Sequence, residues 1–375
     1  MDEQIKSSFL SVTEAMKMAI AEAHKGTPFV SPNPSVGCVI LDSSNQLLSA
    51  GYHKIYGGPH AEVNALAGLS KQQLQGAHVI VTLEPCAHEG KTPSCAKKLA
   101  SLPIKKITYG LLDPNPLVAG QGAEILKKAG IEVEVFSELQ SELEEVCEVF
   151  LLNQRKNKIF VALKVAVSLD GQMALKSGES QWITGEKARE HSHYLRSCYD
   201  AVMVGAGTIK HDNPSLNIRH PQIKKENKVI VLDAKADQLK NFSQLKLSQV
   251  HDWKNIYWCV SENTEIPHFE KGPQIIKIKT NEQGFEIKHL MNELWNQGLR
   301  SVYVEGGAHT FAALIQSGWA HRLYLYQAPH LIGAAGGLSW TEKLSISQMK
   351  DRFALKTLRS EKIGEDLFVT ARFLD

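Results

Sequence analysis

Residues 60–95 read HAEVNALAGLSKQQLQGAHVIVTLEPCAHEGKTPSC, and this stretch decides how the first half of the chain must fold. A Gly57-Gly58-Pro59 turn precedes His60, which opens a helix predicted through Leu69. Ala77 to Leu83 is a β-branched strand that delivers Glu84-Pro85-Cys86 toward the start of a further helix near Cys95. That order brings one imidazole and two thiols to two helix N-termini, where the dipoles favour a thiolate. A neutral imidazole with two thiolates suits a tetrahedral Zn²⁺, and three protein ligands leave a fourth position for water. Glu62, two residues beyond His60, suits a base for that water without being a ligand. The alternative is a structural zinc site, or buried cysteines beside an unrelated histidine. A closed structural site wants a fourth protein ligand, for which His88 is the only local candidate, and it has no use for Glu62.

Working outward, Ser11-Val12-Thr13-Glu14 is a capping box that opens an amphipathic helix, stopped at Gly26. Strands Val36–Leu41 and Leu47–Tyr52 follow the loop Ser31-Pro32-Asn33-Pro34. Strands Ile104–Gly110 and Ile131–Val135 complete a set alternating with helices, which implies a helix-covered three-layer α/β domain. A Glu-rich helix from Glu138 ends in the charged run Asn153 to Lys158, the best boundary in the chain. We therefore divide it into residues 1–150, a linker at 151–158, and residues 159–375. The second half is predicted to carry strands at 159–167, 201–204, 228–232, 256–260, 275–278, 301–304, 322–328 and 366–373, with helices at 186–198 and 285–297. Residues 234–254 and 261–273 read as polar connections. Two strands end in glycine turns, Val204-Gly205-Ala206-Gly207-Thr208 and Val304-Glu305-Gly306-Gly307-Ala308. Bare amides at such turns suit a pyrophosphate, although tight turns account for short glycine pairs about as often.

Composition narrows the classes. The 375 residues suggest two or three domains on length alone, and a net charge of +2 offers no general field for nucleic acid or membrane. The first ten residues have no apolar core of a signal peptide, and no run approaches a membrane span, so a cytoplasmic protein is expected. Six scattered cysteines fit zinc ligation and buried thiols rather than a disulfide framework.

His-x-Glu followed by Pro-Cys is the signature of zinc nucleobase deaminases, except that eight residues, Ala87 to Ser94, here separate the cysteines instead of two. Over nearly its whole length the chain resembles the bifunctional deaminase/reductases of riboflavin biosynthesis, in which that spacing is usual. The motifs are Asn33-Pro34-Ser35-Val36-Gly37, His60-Ala61-Glu62, Thr82 to Cys86, Gly90-Lys91-Thr92-Pro93 and Asp113-Pro114-Asn115-Pro116. In the second half they are Ser168-Leu169-Asp170-Gly171, Gly178 to Thr184, Asp212-Asn213-Pro214 and Val304 to Gly307. The resemblance implies a cytidine-deaminase-like α/β domain followed by a dihydrofolate-reductase-like α/β domain, with Zn²⁺ and NADPH as cofactors. It implies zinc on His60, Cys86 and Cys95, with Glu62 moving the proton. Asn33, His53, Lys91, Asp113 and Asn115 would bind the pyrimidine ribosyl phosphate. In the reductase half, Lys164, Ser180, Arg196, Leu216, Arg219 and Glu305 would line the substrate. Ala166, Trp182, Thr208, Asp212, Ala234, Gly307, Ala308, His309, Thr310 and Phe311 would meet the dinucleotide. The family often has a serine where Ala234 stands, so preference for NADPH over NADH rests on the resemblance. A homo-oligomer acting on a small phosphorylated pyrimidine is expected. A nucleic-acid-editing deaminase would want a basic, aromatic surface and would leave residues 159–375 idle. A zinc-stabilised scaffold would leave Glu62 without purpose.

Overall fold

The computed structural model describes residues 9–88, 93–115 and 119–374. Two compact units meet at the Asn157–Lys158 bond. In the first, α1 (Val12–Gly26) starts at a complete capping box: Ser11 Oγ accepts the Glu14 N–H, and the Glu14 carboxylate accepts the Ser11 N–H. Then come β1 (Gly37–Leu41), β2 (Leu47–Tyr52), α2 (Ala61–Leu66), β3 (His78–Leu83) and α3 (Cys95–Ala100). β4 (Lys106–Leu111), α4 (Gln121–Lys128), β5 (Glu132–Val135) and α5 (Gln140–Lys156) complete the unit. The sheet order is β2-β1-β3-β4-β5, with β1 antiparallel to both neighbours and β3, β4 and β5 parallel.

Strand periodicity makes this sheet a middle layer. Cys38 and Ile40 of β1 face a core shared with Ala61, Ala96, Leu99 and Ala123, from α2, α3 and α4. Val39 and Leu41 face the other way, into a core built with Met16, Ala19, Leu143 and Cys147 from α1 and α5. α2 is shorter than the sequence predicts, because Ala67 turns extended and Gly68 takes φ +82°. Residues 151–156, expected within a linker, instead continue α5, and Leu151 is buried against the α1 face.

The second unit runs β6 (Phe160–Ser168), β7 (Gln172–Leu175), α6 (Glu186–Ser197), β8 (Ala201–Gly205), α7 (Ala206–Asp212) and β9 (Lys228–Leu232). Next are α8 (Lys246–Val250), β10 (Ile256–Ser261), β11 (Gln274–Ile278), the hairpin β12 (Thr280–Asn281) and β13 (Gly284–Phe285), and α9 (Ile287–Asn296). The unit ends with β14 (Ser301–Val304), α10 (Ala308–Gln316), β15 (Arg322–Ala328), β16 (Gly337–Ser339), β17 (Leu355–Ile363) and β18 (Asp366–Phe373). Nine strands form one sheet in the order β11-β10-β9-β8-β14-β6-β15-β18-β17. The first seven are parallel, while β18 and β17 add antiparallel. From β6 the chain runs through β8, β9 and β10 to the β11 edge, returns to insert β14 beside β6, and continues with β15 on the other side. The carbonyl ends of β6, β8 and β14 thus gather where the winding reverses, the place where ligands bind in such sheets.

Residues 234–254 are more ordered than a polar connection: Leu239, Phe242, Leu245 and Leu247 are buried there through a 3₁₀ turn and α8. Among the described residues, no helix is long and apolar enough to cross a membrane.

Candidate functional site

In the first unit, His60 is the N-cap of α2 and Cys95 the first residue of α3. Cys86 Sγ and Cys95 Sγ lie 3.6 and 3.4 Å from His60 Nδ1, and the three ligand atoms fall within 4.8 Å of one another. Soft donors at these separations fit a tetrahedral zinc with one open position. The Cys95 N–H donates to Cys86 Sγ at 3.4 Å. The α3 N-cap Ser94 accepts the Lys97 N–H and donates to the Cys86 carbonyl at 2.8 Å, so one residue fixes both the helix start and the ligand's backbone. A hydrogen bond from the Cys95 thiol holds the Cys86 thiol well below its ordinary value and raises Cys95 in turn, so Cys86 is the more readily formed thiolate of the pair.

These ligands open on a cavity of about 390 Å³ that includes Asn33, His53, Glu62, Asp113 and Asn115. Glu62 is buried, 4% exposed, and burial pushes its carboxyl up. His53 Nδ1 bonds the Pro59 carbonyl at 3.0 Å, so Nδ1 carries the proton and Nε2 accepts from Asn33 Nδ2 at 3.2 Å. Burial also lowers the His53 pKa and keeps that ring neutral. Glu84 is buried beside the ligand strand and accepts the peptide N–H of Asp113, Gly120 and Ala123 at 3.3, 3.0 and 3.1 Å. A Cβ on Gly122 would stand 1.9 Å from the Pro85 carbonyl, so only glycine permits that packing. Lys91 lies outside the described residues. His88 lines the cavity but stands apart from the three-ligand cluster. Sequence reasoning missed Phe150 and Gln154, which line the same cavity from the end of α5 and belong to no motif.

The second unit holds a larger cavity, about 760 Å³, at the carbonyl ends of β6, β8 and β14. Lys164, Ala166, Ser180, Trp182, Arg196, Thr208, Asp212, Leu216, Arg219, Glu305, Gly307 and Phe311 all line it. Ala234, Ala308, His309 and Thr310 do not; the helix turn of α10 carries the last three behind Gly307, and Ala234 follows β9, one strand farther along the sheet. Six lysine and arginine side chains face two carboxylates in this lining, which favours an anionic ligand. Arg196 is buried; its Nε and Nη2 reach Glu305 Oε1 at 2.7 and 2.6 Å, and Nη1 donates to the Asn217 carbonyl. For Glu305, burial alone would raise the pKa, but Arg196 and then Lys164 overcome it and hold the carboxylate ionised. Burial lowers the Lys164 pKa in turn, with Glu305 opposing. A Cβ on Gly207 or Gly307 would meet nothing, so both turns offer bare backbone to the cavity. Open backbone at two strand-to-helix turns, with surplus cations, fits a dinucleotide.

Residues 11–111 match the cytidine and deoxycytidylate deaminase zinc-binding region, and residues 159–369 match the RibD C-terminal domain. The two matches define a zinc deaminase module followed by a reductase module. The Actinobacillus pleuropneumoniae riboflavin biosynthesis protein RibD is 36% identical, covering 97% of this chain and 96% of that protein. The Aquifex aeolicus RibD is 34% identical over 94% and 96%. Among solved structures, Acinetobacter baumannii RibD superposes with a TM-score of 0.79 at 32% identity, covering 97% and 99%. A Thermotoga maritima diaminohydroxyphosphoribosylaminopyrimidine deaminase/5-amino-6-(5-phosphoribosylamino)uracil reductase gives 0.82, also at 32% and with coverage of 97% and 99%. The chain belongs to the RibD family of bifunctional deaminase/reductases of riboflavin biosynthesis.

Proposed function

We propose that this chain performs both reactions of its family with the residues described above. The first unit hydrolyses the 2-amino group of 2,5-diamino-6-ribosylamino-4(3H)-pyrimidinone 5′-phosphate, releasing ammonia. Zinc held by His60, Cys86 and Cys95 supplies the Lewis acidity that makes water nucleophilic near neutral pH. Glu62 takes the proton from the attacking water and delivers it to the departing nitrogen. Its burial supports that role, because a carboxyl removed from bulk water can hold a proton between the two events. Asn33, oriented by the neutral His53, and the Asp113–Asn115 loop, tied down by Glu84, form the ring- and ribose-binding wall. Lys91 belongs to the same proposal as a phosphate contact.

The second unit reduces ribose C1′ of the uracil product to a ribitylamine. NADPH supplies the hydride. Arg196 holds Glu305 ionised, and Lys164 sets an ammonium near that carboxylate. Ser180, Leu216 and Arg219 complete the substrate wall. Ala166, Trp182, Thr208, Asp212, Phe311 and the turns at Gly207 and Gly307 contact the dinucleotide, with Ala234 and residues 308–310 as its outer contacts. The observation that carries this reading is the pairing of a His-Cys-Cys cluster and buried Glu62 with a separate cation-lined cavity.

A coupled assay on the diaminopyrimidine ribosyl phosphate tests it. Ammonia release followed by loss of NADPH absorbance is expected. No ammonia from zinc-loaded protein would overturn the deaminase half, and ammonia without NADPH oxidation would overturn the reductase half.

A further inference from the structure

Within the larger cavity stands a histidine that no motif marks. His193 lies three residues before Arg196 on α6, so the two share a helix face. The loop from Asn213 to Arg219 lies against that face and is braced at several points. Arg219 Nη1 donates to Ser215 Oγ at 2.7 Å and Asn217 Oδ1 at 3.1 Å; Asn227 Nδ2 and His251 Nε2 hold the Leu216 and Ser215 carbonyls. The peptide N–H of Arg219 donates to His193 Nδ1 at 3.2 Å. An accepting Nδ1 fixes the tautomer, so the ring proton is on Nε2. That N–H finds no partner among the described residues, in a ring that lines the cavity.

Burial, followed by repulsion from Arg196 and Arg219, pushes the His193 pKa down to about 3, so the ring is neutral near pH 7. A fourth cation here would repel the three already present, Lys164, Arg196 and Arg219. A neutral N–H adds a directed hydrogen bond without that repulsion. Such a donor beside two guanidinium groups is complementary to a phosphate oxygen.

Resting on the reductase reading above, we infer that His193 is a substrate-positioning residue whose Nε2–H donates to the phosphate of the ribosyl phosphate, alongside Arg196 and Arg219. The structural alternative is that His193 only braces the Arg219 backbone through Nδ1. Two near-isosteres separate these roles. In His193→Asn, the side-chain carbonyl stands near Nδ1 and keeps the brace; in His193→Gln, the amide nitrogen reaches the Nε2 position and keeps the donor.

The experiment measures calorimetric affinity of the full-length chain for ribose 5-phosphate, ribose and NADPH, with thermal melts to verify folding. Wild type should bind ribose 5-phosphate well above ribose. His193→Gln should stay within about threefold of wild type, whereas His193→Asn should lose about tenfold or more, the range for one hydrogen bond to a charged group. NADPH affinity should hold in both. Wild-type affinity in His193→Asn, equal loss in both variants, or a loss confined to NADPH would each overturn the inference. If wild type fails to distinguish ribose 5-phosphate from ribose, the reading of the cavity as a sugar-phosphate site falls, and this inference with it.

Discussion

The two cavities are electrostatic opposites. The smaller is lined by the carboxylates Glu62, Glu84 and Asp113 and three histidines, with no lysine or arginine among its described lining residues. The larger sets six lysines and arginines against Asp212 and Glu305. The first suits a divalent cation and proton transfer, the second anionic ligands that must be held and oriented. One carboxylate in each differs accordingly. Burial pushes Glu62 up, whereas Arg196 and Lys164 outweigh burial and hold Glu305 down. Residue type alone thus says little about role; the neighbours decide whether a glutamate handles a proton or fixes a guanidinium.

The sharpest way to break this contrast is to remove the metal. Chelation should abolish ammonia release, while NADPH oxidation on substrate already deaminated persists; parallel loss of both activities would show that the cavities do not work separately. Next in size, Glu62→Gln should slow deamination by roughly a hundred- to ten-thousandfold, the range for a lost general acid–base, with reduction of deaminated substrate preserved. A change under tenfold would remove Glu62 from the mechanism.

A smaller effect concerns the stability of the first unit against acid. His78 is buried, bonds Thr108 Oγ1 at 2.8 Å, and is held down to about 4 by burial and Lys106. With the folded pKa below the unfolded value of 6.5, the unfolded state takes up the proton first as pH falls. Stability is therefore lost between about pH 6.5 and pH 4, by up to about 3 kcal/mol. His78→Gln should flatten that limb in melts of the deaminase transition; an unchanged slope would assign it to other groups. The smallest effect concerns cofactor choice in the second unit. NADPH should still exceed NADH in kcat/KM, and Ala234→Ser should widen the ratio about threefold through one added hydroxyl. Equal values for the two cofactors in the wild type would defeat this.

Legibility in the sequence followed local physics. Capping at Ser11 and Glu14 and the apolar run of β1 are short-range signals that the structure realises closely, and the His60, Cys86 and Cys95 motifs come together within 4.8 Å. β17 was not legible, because it is exposed on both faces and exists only through pairing with β18. α7 was hidden within what reads as a glycine turn. The short pair β7 and β16 joins residues far apart in the chain. Phe150, Gln154 and His193 reach their cavities by tertiary packing from helices whose own patterns say nothing about a site. Ala308 to Thr310 follow a marked turn, but helical geometry carries them past the cavity wall.

One carboxylate has a consequence for which metals the deaminase half can use. Glu84 sits two residues before Cys86 and grips the peptide N–H groups of Asp113, Gly120 and Ala123. Cys86 and the Asp113–Asn115 segment proposed to bind the pyrimidine are thereby tied to one carboxylate. An ion of different radius, by displacing Cys86, would also move Asp113 and Asn115. Substitution of the metal should then register as altered substrate affinity as well as altered rate, which makes ionic radius a determinant of what the pocket accepts.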